Sequence, residues 1–181
     1  MKKRKEKRKK RFSMNSCRRK ILAVILVFSF FLSFPVFSKS EELGPGWESE
    51  VGRCFISASQ RYNVSLWLLW AIAKVESNFN YKALNKNKDG SFDVGLMQIN
   101  SRWFPVLKDY GILPRHLWDP CTNVMVGAWI LSLCIQKYGY TWDAVGCYHS
   151  QTPKRQKKYA YKVMKVIYDS TKSSAKTRGE L

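Results

Sequence analysis

An uninterrupted apolar run, residues 21–37, lies directly behind a basic stretch and divides the chain before any folding is considered. Residues 1–20 hold twelve Lys/Arg and one Glu, and the apolar run is followed by Ser38 with Val36 two positions before it. Basic, apolar, then small is the order of a secretory signal peptide, with cleavage expected after Ser38. The competing reading is an uncleaved anchor, because the 17-residue run falls slightly short of the ~20 that span a bilayer. The basic region is long for a leader, and Met14, ahead of Asn-Ser-Cys-Arg-Arg-Lys, makes a more ordinary start.

The division also relocates the charge. Of the chain's net +19, residues 1–20 supply +11, which leaves +8 for everything beyond them. Such a domain is drawn to polyanions in general, and the case for a nucleic-acid partner loses most of its support. Cys17 falls inside the leader, so Cys54, Cys121, Cys134 and Cys147 remain, an even number in an exported chain, and disulfides follow. A metal site is not expected: there is no Cys-x-x-Cys pair, and only His116 and His149 could assist. Three pairings are open, of which Cys54 with Cys121 and Cys134 with Cys147 is favoured. The long first loop would contribute about 4 kcal/mol in the chain-entropy account.

Residues 39–47, with Glu-Glu-Leu-Gly-Pro-Gly, read as a linker, residues 48–169 as one folded domain, and residues 170–181 as a disordered basic tail. Val51, Cys54, Phe55 and Ala58 recur at helical spacing over residues 50–62. Ser65 caps a second helix over residues 66–77, Asp119 and Pro120 open a long one that Gly139 ends, and Thr141 caps another over residues 142–149. After Pro153 a basic amphipathic helix carries Tyr161, Met164, Ile167 and Tyr168 on neighbouring faces. Residues 94–100 suit a short helix or an extended segment equally. No strand alternation stands out, so the expected fold is mostly α-helical with a short β element or none.

Glu76 follows Leu69, Ile72 and Ala73 by seven, four and three residues, which places it on the apolar face of the second helix. Burial disfavours a carboxylate and raises its pKa, the property a glycosidase needs in the group that protonates a leaving sugar oxygen. Read from periodicity alone, a Glu turned to solvent at a fraying helix end fits equally well.

The segments Ala-Ile-Ala-Lys-Val-Glu-Ser-Asn-Phe-Asn, Asp-Val-Gly-Leu-Met-Gln-Ile-Asn and Ala-Val-Gly-Cys-Tyr together carry more. Over residues 52–148 the chain resembles the lysozyme-like lytic transglycosylase domain, and within it the small exported members that accompany type III secretion, conjugation and pilus systems. The resemblance implies a lysozyme-like helical domain with a cleft, located in the periplasm of a Gram-negative bacterium and acting on peptidoglycan glycan strands without a cofactor. It implies Glu76 as acid and then base, Ser77 supporting that carboxyl, Met97 and Gln98 lining the cleft, and Tyr148 near the acid. It also implies cleavage of the MurNAc-β-1,4-GlcNAc bond by the muramyl C6 hydroxyl, leaving a 1,6-anhydro sugar. The chain departs from the family where Tyr148-His149-Ser150-Gln151 stands in place of Tyr-Asn-Ala-Gly.

Other features admit other roles. Asp93 could supply a second carboxylate, which would make a hydrolytic lysozyme, or it could simply bind the loop before Gly95. A glycan-binding assembly protein without turnover is a further alternative. Asn85-x-Asn87-x-Asp89-Gly90 starts like a calcium loop but has Leu96 where a bidentate Glu is required, so a solvated turn is expected. Most of the helical tryptophans read as core, with Trp103 and Phe104 as sugar platforms, and the run at 154–158 as a solvated helix face.

Overall fold

Four polar side chains start the principal helices by accepting a backbone N–H. Ser49 opens α1 (Glu50–Tyr62), Ser65 opens α2 (Leu66–Ser77), Asp119 opens α4 (Pro120–Tyr138) and Thr141 opens α5 (Trp142–His149). Asn63 and Asn78, both in the left-handed region, end the first two. The structure is a computed structural model, and residues 47–177 of it are described here. The expected leader and all of the linker but Trp47 lie outside these residues.

Between α2 and α4 the chain forms a three-stranded antiparallel sheet, β1 (Leu84–Lys86), β2 (Phe92–Val94) and β3 (Ile99–Asn100), in that order. The ambiguous stretch at 94–100 is therefore extended at both ends, around a tight turn. Register sets Asp93 opposite Asn85 on one side and Asn100 on the other. A short helix α3 (Phe104–Asp109), flanked by 3-10 turns, leads to α4.

The core gathers Leu69 and Ile72 of α2, Leu96, Met97 and Ile99 of the sheet region, Val124 and Leu131 of α4, and Val163 of the last helix, all essentially inaccessible. Each such side chain contributes roughly 1.5–3 kcal/mol by leaving water. Trp47 is buried against Phe55, so the folded domain is under way at that residue. Cys54 pairs with Cys121, tying α1 to the start of α4, and Cys134 pairs with Cys147, tying α4 to α5.

Helix α6 (Pro153–Thr177) differs from expectation in two respects. It continues through most of the residues expected to be disordered. Ser170 and Ser174 hydrogen-bond carbonyls four residues back and Thr171 one three residues back, and neither Gly nor Pro interrupts the helix after Pro153. Its buried face is Gln156, Tyr159, Ala160 and Val163, while Tyr161, Met164 and Tyr168 point outward. The tryptophans also divide: Trp70, Trp103 and Trp129 pack on the core, but Trp67, Trp118 and Trp142 are exposed.

Candidate active site

The helical face that carries Glu76 is dry, since Leu69, Ile72 and Ala73 are wholly buried. Glu76 itself is half-buried. Its Oε1 accepts a hydrogen bond from the Tyr159 hydroxyl of α6 at 2.6 Å. Burial dominates the electrostatics and pushes the carboxyl from 4.5 up to about 7. The Tyr159 hydrogen bond opposes that rise, Asp93 adds to it by repulsion, and Lys162 opposes it by attraction. At neutral pH this side chain holds its proton about half of the time, so it can give one up or take one back.

Immediately after Ser77 the backbone turns sharply: Asn78 and Phe79 both adopt positive φ, 53° and 65°. A bulky residue seldom adopts that conformation. Phe79 is held there by its ring against Trp70, at 5.4 Å between centroids, with the Lys74 ammonium 5.6 Å from the centre of the Phe79 ring. The bend carries the chain away from Glu76 and toward the sheet.

One wall of the site is aromatic. The Tyr159 ring stacks on His149 at 4.7 Å, nearly parallel, and on Tyr148 at 6.5 Å. Burial, reinforced by the nearby Glu76 charge, pushes both tyrosine hydroxyls well above their ordinary range, so they stay protonated as donors. Burial lowers His149, as do Lys162 and Arg155, against an opposing pull from Asp93.

The other wall is built from amides. Asp93 accepts from Asn87 at 2.9 Å through one oxygen and from Asn100 at 2.7 Å through the other. The Gln98 amide accepts from Asn85 at 2.6 Å and donates to the Gly95 and Ala83 carbonyls. Asn123 of α4, fully buried, accepts from the Met97 N–H at 2.7 Å and donates to the Val94 and Leu117 carbonyls at 3.0 and 2.8 Å. Gly95 makes this approach possible. Its φ is +77°, and a Cβ there would stand 2.3 Å from the Asn123 amide.

The residues singled out in the sequence converge on this region, though not always in the expected posture. Ser77 donates to the Leu96 carbonyl at 2.7 Å, so it braces the end of α2 against the sheet region and its hydroxyl is not directed to the Glu76 carboxyl. Met97 does not line an open cleft with its side chain, which is fully buried and lies flat on Gly127. Gln98, also buried, uses its amide to hold the strands together. Tyr148 donates to the Met97 carbonyl at 2.8 Å, and the tyrosine that reaches Glu76 is Tyr159. Tyr159 and Asn123 were not singled out from the sequence. The former was recoverable, because Gln156, Tyr159 and Val163 share helical spacing once the helix is started at Pro153.

Trp103 packs edge-on against Trp129, and Phe104 against Phe92. Trp129 also lines a separate cavity of about 640 Å³ with Tyr62, Leu107, Tyr110 and Met125. None of the groups around Glu76 borders that cavity. The turn resembling a calcium loop is closed by its own side chains: Asp89 binds Ser91 and forms an ion pair with Arg102 at 2.7 Å.

A helical domain presenting one proton-retaining carboxyl between these walls belongs, by its fold and sequence, to a class of glycan-cleaving enzymes. Residues 53–169 match the family model described as the transglycosylase SLT domain, and the chain belongs to that family. It is 47% identical over 115 residues to invasion protein IagB of Salmonella typhimurium strain SL1344, covering 61% of this chain and 72% of that protein. Protein IpgF of Shigella flexneri is 40% identical over 116 residues, 64% of this chain and 76% of that protein. The X polypeptide of Escherichia coli strain K12 is 38% identical over 128 residues, 67% and 75% respectively. Among solved structures, an inactive mutant of the lytic transglycosylase Slt from Pseudomonas aeruginosa shares the fold, with a TM-score of 0.54 at 17% identity. That match covers 67% of this chain and 24% of the Slt chain. Two disulfides in a domain of a peptidoglycan-directed family point to a location outside the cytoplasm.

Proposed function

We propose that the chain is a lytic transglycosylase in which Glu76 is the single catalytic acid and base. Glu76 protonates the glycosidic oxygen between MurNAc and GlcNAc as that bond breaks. The muramyl C6 hydroxyl attacks C1 of its own ring and returns a proton to the Glu76 carboxylate, so that a 1,6-anhydro sugar forms and no water is consumed. The observation that carries this reading is the state of the two nearby carboxyls. Glu76 is raised to about 7 by burial, with Tyr159 on one oxygen, whereas both oxygens of Asp93 are occupied by amide donors. A carboxylate fixed in that way is poorly placed to attack a sugar or to activate water. Tyr148 and Ser77 serve as positioning residues, holding the sheet region against the acid.

The second reading, a hydrolytic lysozyme, draws on the repulsion between Asp93 and Glu76, which brings the two into one electrostatic unit. Mass spectrometry of muropeptides released from purified wall separates the two. Anhydro ends are the expected product, reducing ends would establish the hydrolase, and no release would leave a glycan-binding assembly protein. The setting we propose is the periplasm of a Gram-negative bacterium, where local cleavage opens the wall for a secretion, conjugation or pilus apparatus. Similarity to a protein named for invasion supports that setting.

A further inference from the structure

Charge in the folded domain is concentrated on one helix. Residues 153–177, which form α6, hold eight Lys/Arg and one Asp, a net of +7, whereas residues 47–152 hold ten Lys/Arg and eight Asp/Glu, a net of +2. The inward side of α6 packs on the core through Tyr159, Ala160 and Val163. Its outward side carries a second apolar stripe: Tyr161, Met164 and Tyr168, three and four residues apart, are 62%, 40% and 56% exposed. Lys154, Lys157, Lys165 and Lys172 share that side at helical spacing and are all exposed. The Lys172 ammonium lies 5.1 Å from the centre of the Tyr168 ring, so cation and aromatic are interleaved on one surface. At 3.6 residues per turn the stripe falls on the far side of the helix from Tyr159, whose hydroxyl holds Glu76. Whatever covers the stripe leaves the acid uncovered.

An occupant of this face must be anionic, and it must accept apolar contact without stripping water from the lysines beside it. A protein partner fits that mixture poorly, because protein interfaces are depleted in lysine and free of charge at their centre. The surface of an anionic bilayer meets both demands. Tyrosine rings settle at the headgroup level, and lysines lay their alkyl stems along the apolar boundary while their ammonium groups meet phosphate. From Lys154 to Lys172 the helix advances about 27 Å, so several headgroups are engaged at once. We propose that the outward face of α6 is a peripheral membrane-binding surface for anionic phospholipid, which seats the domain on a bilayer with the Glu76 side of the helix directed away from the lipid. This surface requires only a location outside the cytoplasm and is independent of the sugar chemistry.

The full chain, mixed with vesicles of phosphatidylglycerol and phosphatidylcholine in equal parts that carry a photoactivatable phospholipid, tests it. Mapping the labelled residues by mass spectrometry distinguishes contact at α6 from contact at residues 1–37. Labelling at Tyr161, Met164 or Tyr168 is expected on these vesicles, falling about tenfold on phosphatidylcholine alone and again at high salt. Lys157→Gln, Lys165→Gln and Lys172→Gln together should lower the α6 signal at limiting lipid by about ten- to a hundredfold, since each lysine near such a surface contributes about fivefold in partition. All three positions are exposed, and an unchanged melting temperature separates loss of binding from loss of fold. Labelling confined to residues 1–37, equal labelling on neutral vesicles, or a triple variant that keeps the α6 signal would overturn the membrane surface. Binding of polyglutamate with α6 left unlabelled by lipid would overturn it too, and would assign the face to an acidic protein. Muropeptide release from lipid-free wall should be the same for the triple variant and the wild type, so failure of the surface and failure of glycan cleavage are observed separately.

Discussion

The two walls that meet at Glu76 are held by different physics. The sheet wall depends on directional bonds between amides: Asn85, Asn87, Gln98, Asn100 and Asn123 each have a stated partner, and at the two buried ones, Gln98 and Asn123, a change of one atom type leaves a buried group unsatisfied. The aromatic wall depends on area and stacking, with Tyr159, His149 and Tyr148 lying over one another and a single hydroxyl aimed at the acid. The first wall therefore fixes the sheet region beside Glu76, and the second supplies the hydrogen bond that opposes the burial-driven rise in its proton affinity.

Substitution at the shared point should have the largest effect. Glu76→Gln removes the proton donor and leaves both walls in place, and it is expected to lower kcat about a thousandfold. The same variant should be more stable than the wild type at neutral pH. Because the folded-state pKa lies above the unfolded value, ionisation costs stability, and the cost is absent below pH 4.5 and grows through about pH 7. A gain of about 1–2 kcal/mol at pH 8, vanishing at pH 4, is expected in urea unfolding, after allowance for the partial exposure of the side chain. A loss of stability at pH 8 would contradict the dry environment assigned to Glu76.

Next in size is the amide wall. Asn123→Ala deletes three buried hydrogen bonds and should cost about 3 kcal/mol of global stability, lowering the urea midpoint. Tyr159→Phe should be gentler, at about 1 kcal/mol. It removes a donor that favours the charged carboxylate, so the Glu76 pKa should move further up, and the basic limb of the kcat/KM profile should rise by up to about one pH unit. If Asn123→Ala moved the pH profile and Tyr159→Phe did not, the division of labour between the walls would be wrong.

Helix α2 was legible in the sequence because its information is local. Ser65 caps it and Ile72, Ala73 and Glu76 share its face at helical spacing. The fold class, the disulfide-bearing cysteines and the mostly helical architecture were legible for similar reasons. The contacts that complete the site were not, since they join residues far apart in the chain: Met97 to Asn123 across 26 positions, Tyr148 to Met97 across 51, Tyr159 to Glu76 across 83. No local propensity reports such a pairing. Tyr159 was further concealed by the cations around it, which made the start of α6 read as uniformly solvated. The inward role of Met97 was hidden by Gly127, whose missing side chain creates the bed on which it lies.

The bond between Cys54 and Cys121 encloses α2 and the entire sheet, so the acid and every amide of the wall except Asn123 sit on one covalent loop while the aromatic wall hangs outside it. In a reducing cytosol that loop is open, and the acid and the sheet are held together by packing and by hydrogen bonds such as that from Ser77 to the Leu96 carbonyl. Oxidation outside the cytoplasm closes the ring and restricts the unfolded chain around the acid. A glycan cutter wired in this way gains rigidity in the compartment where its polymer is found.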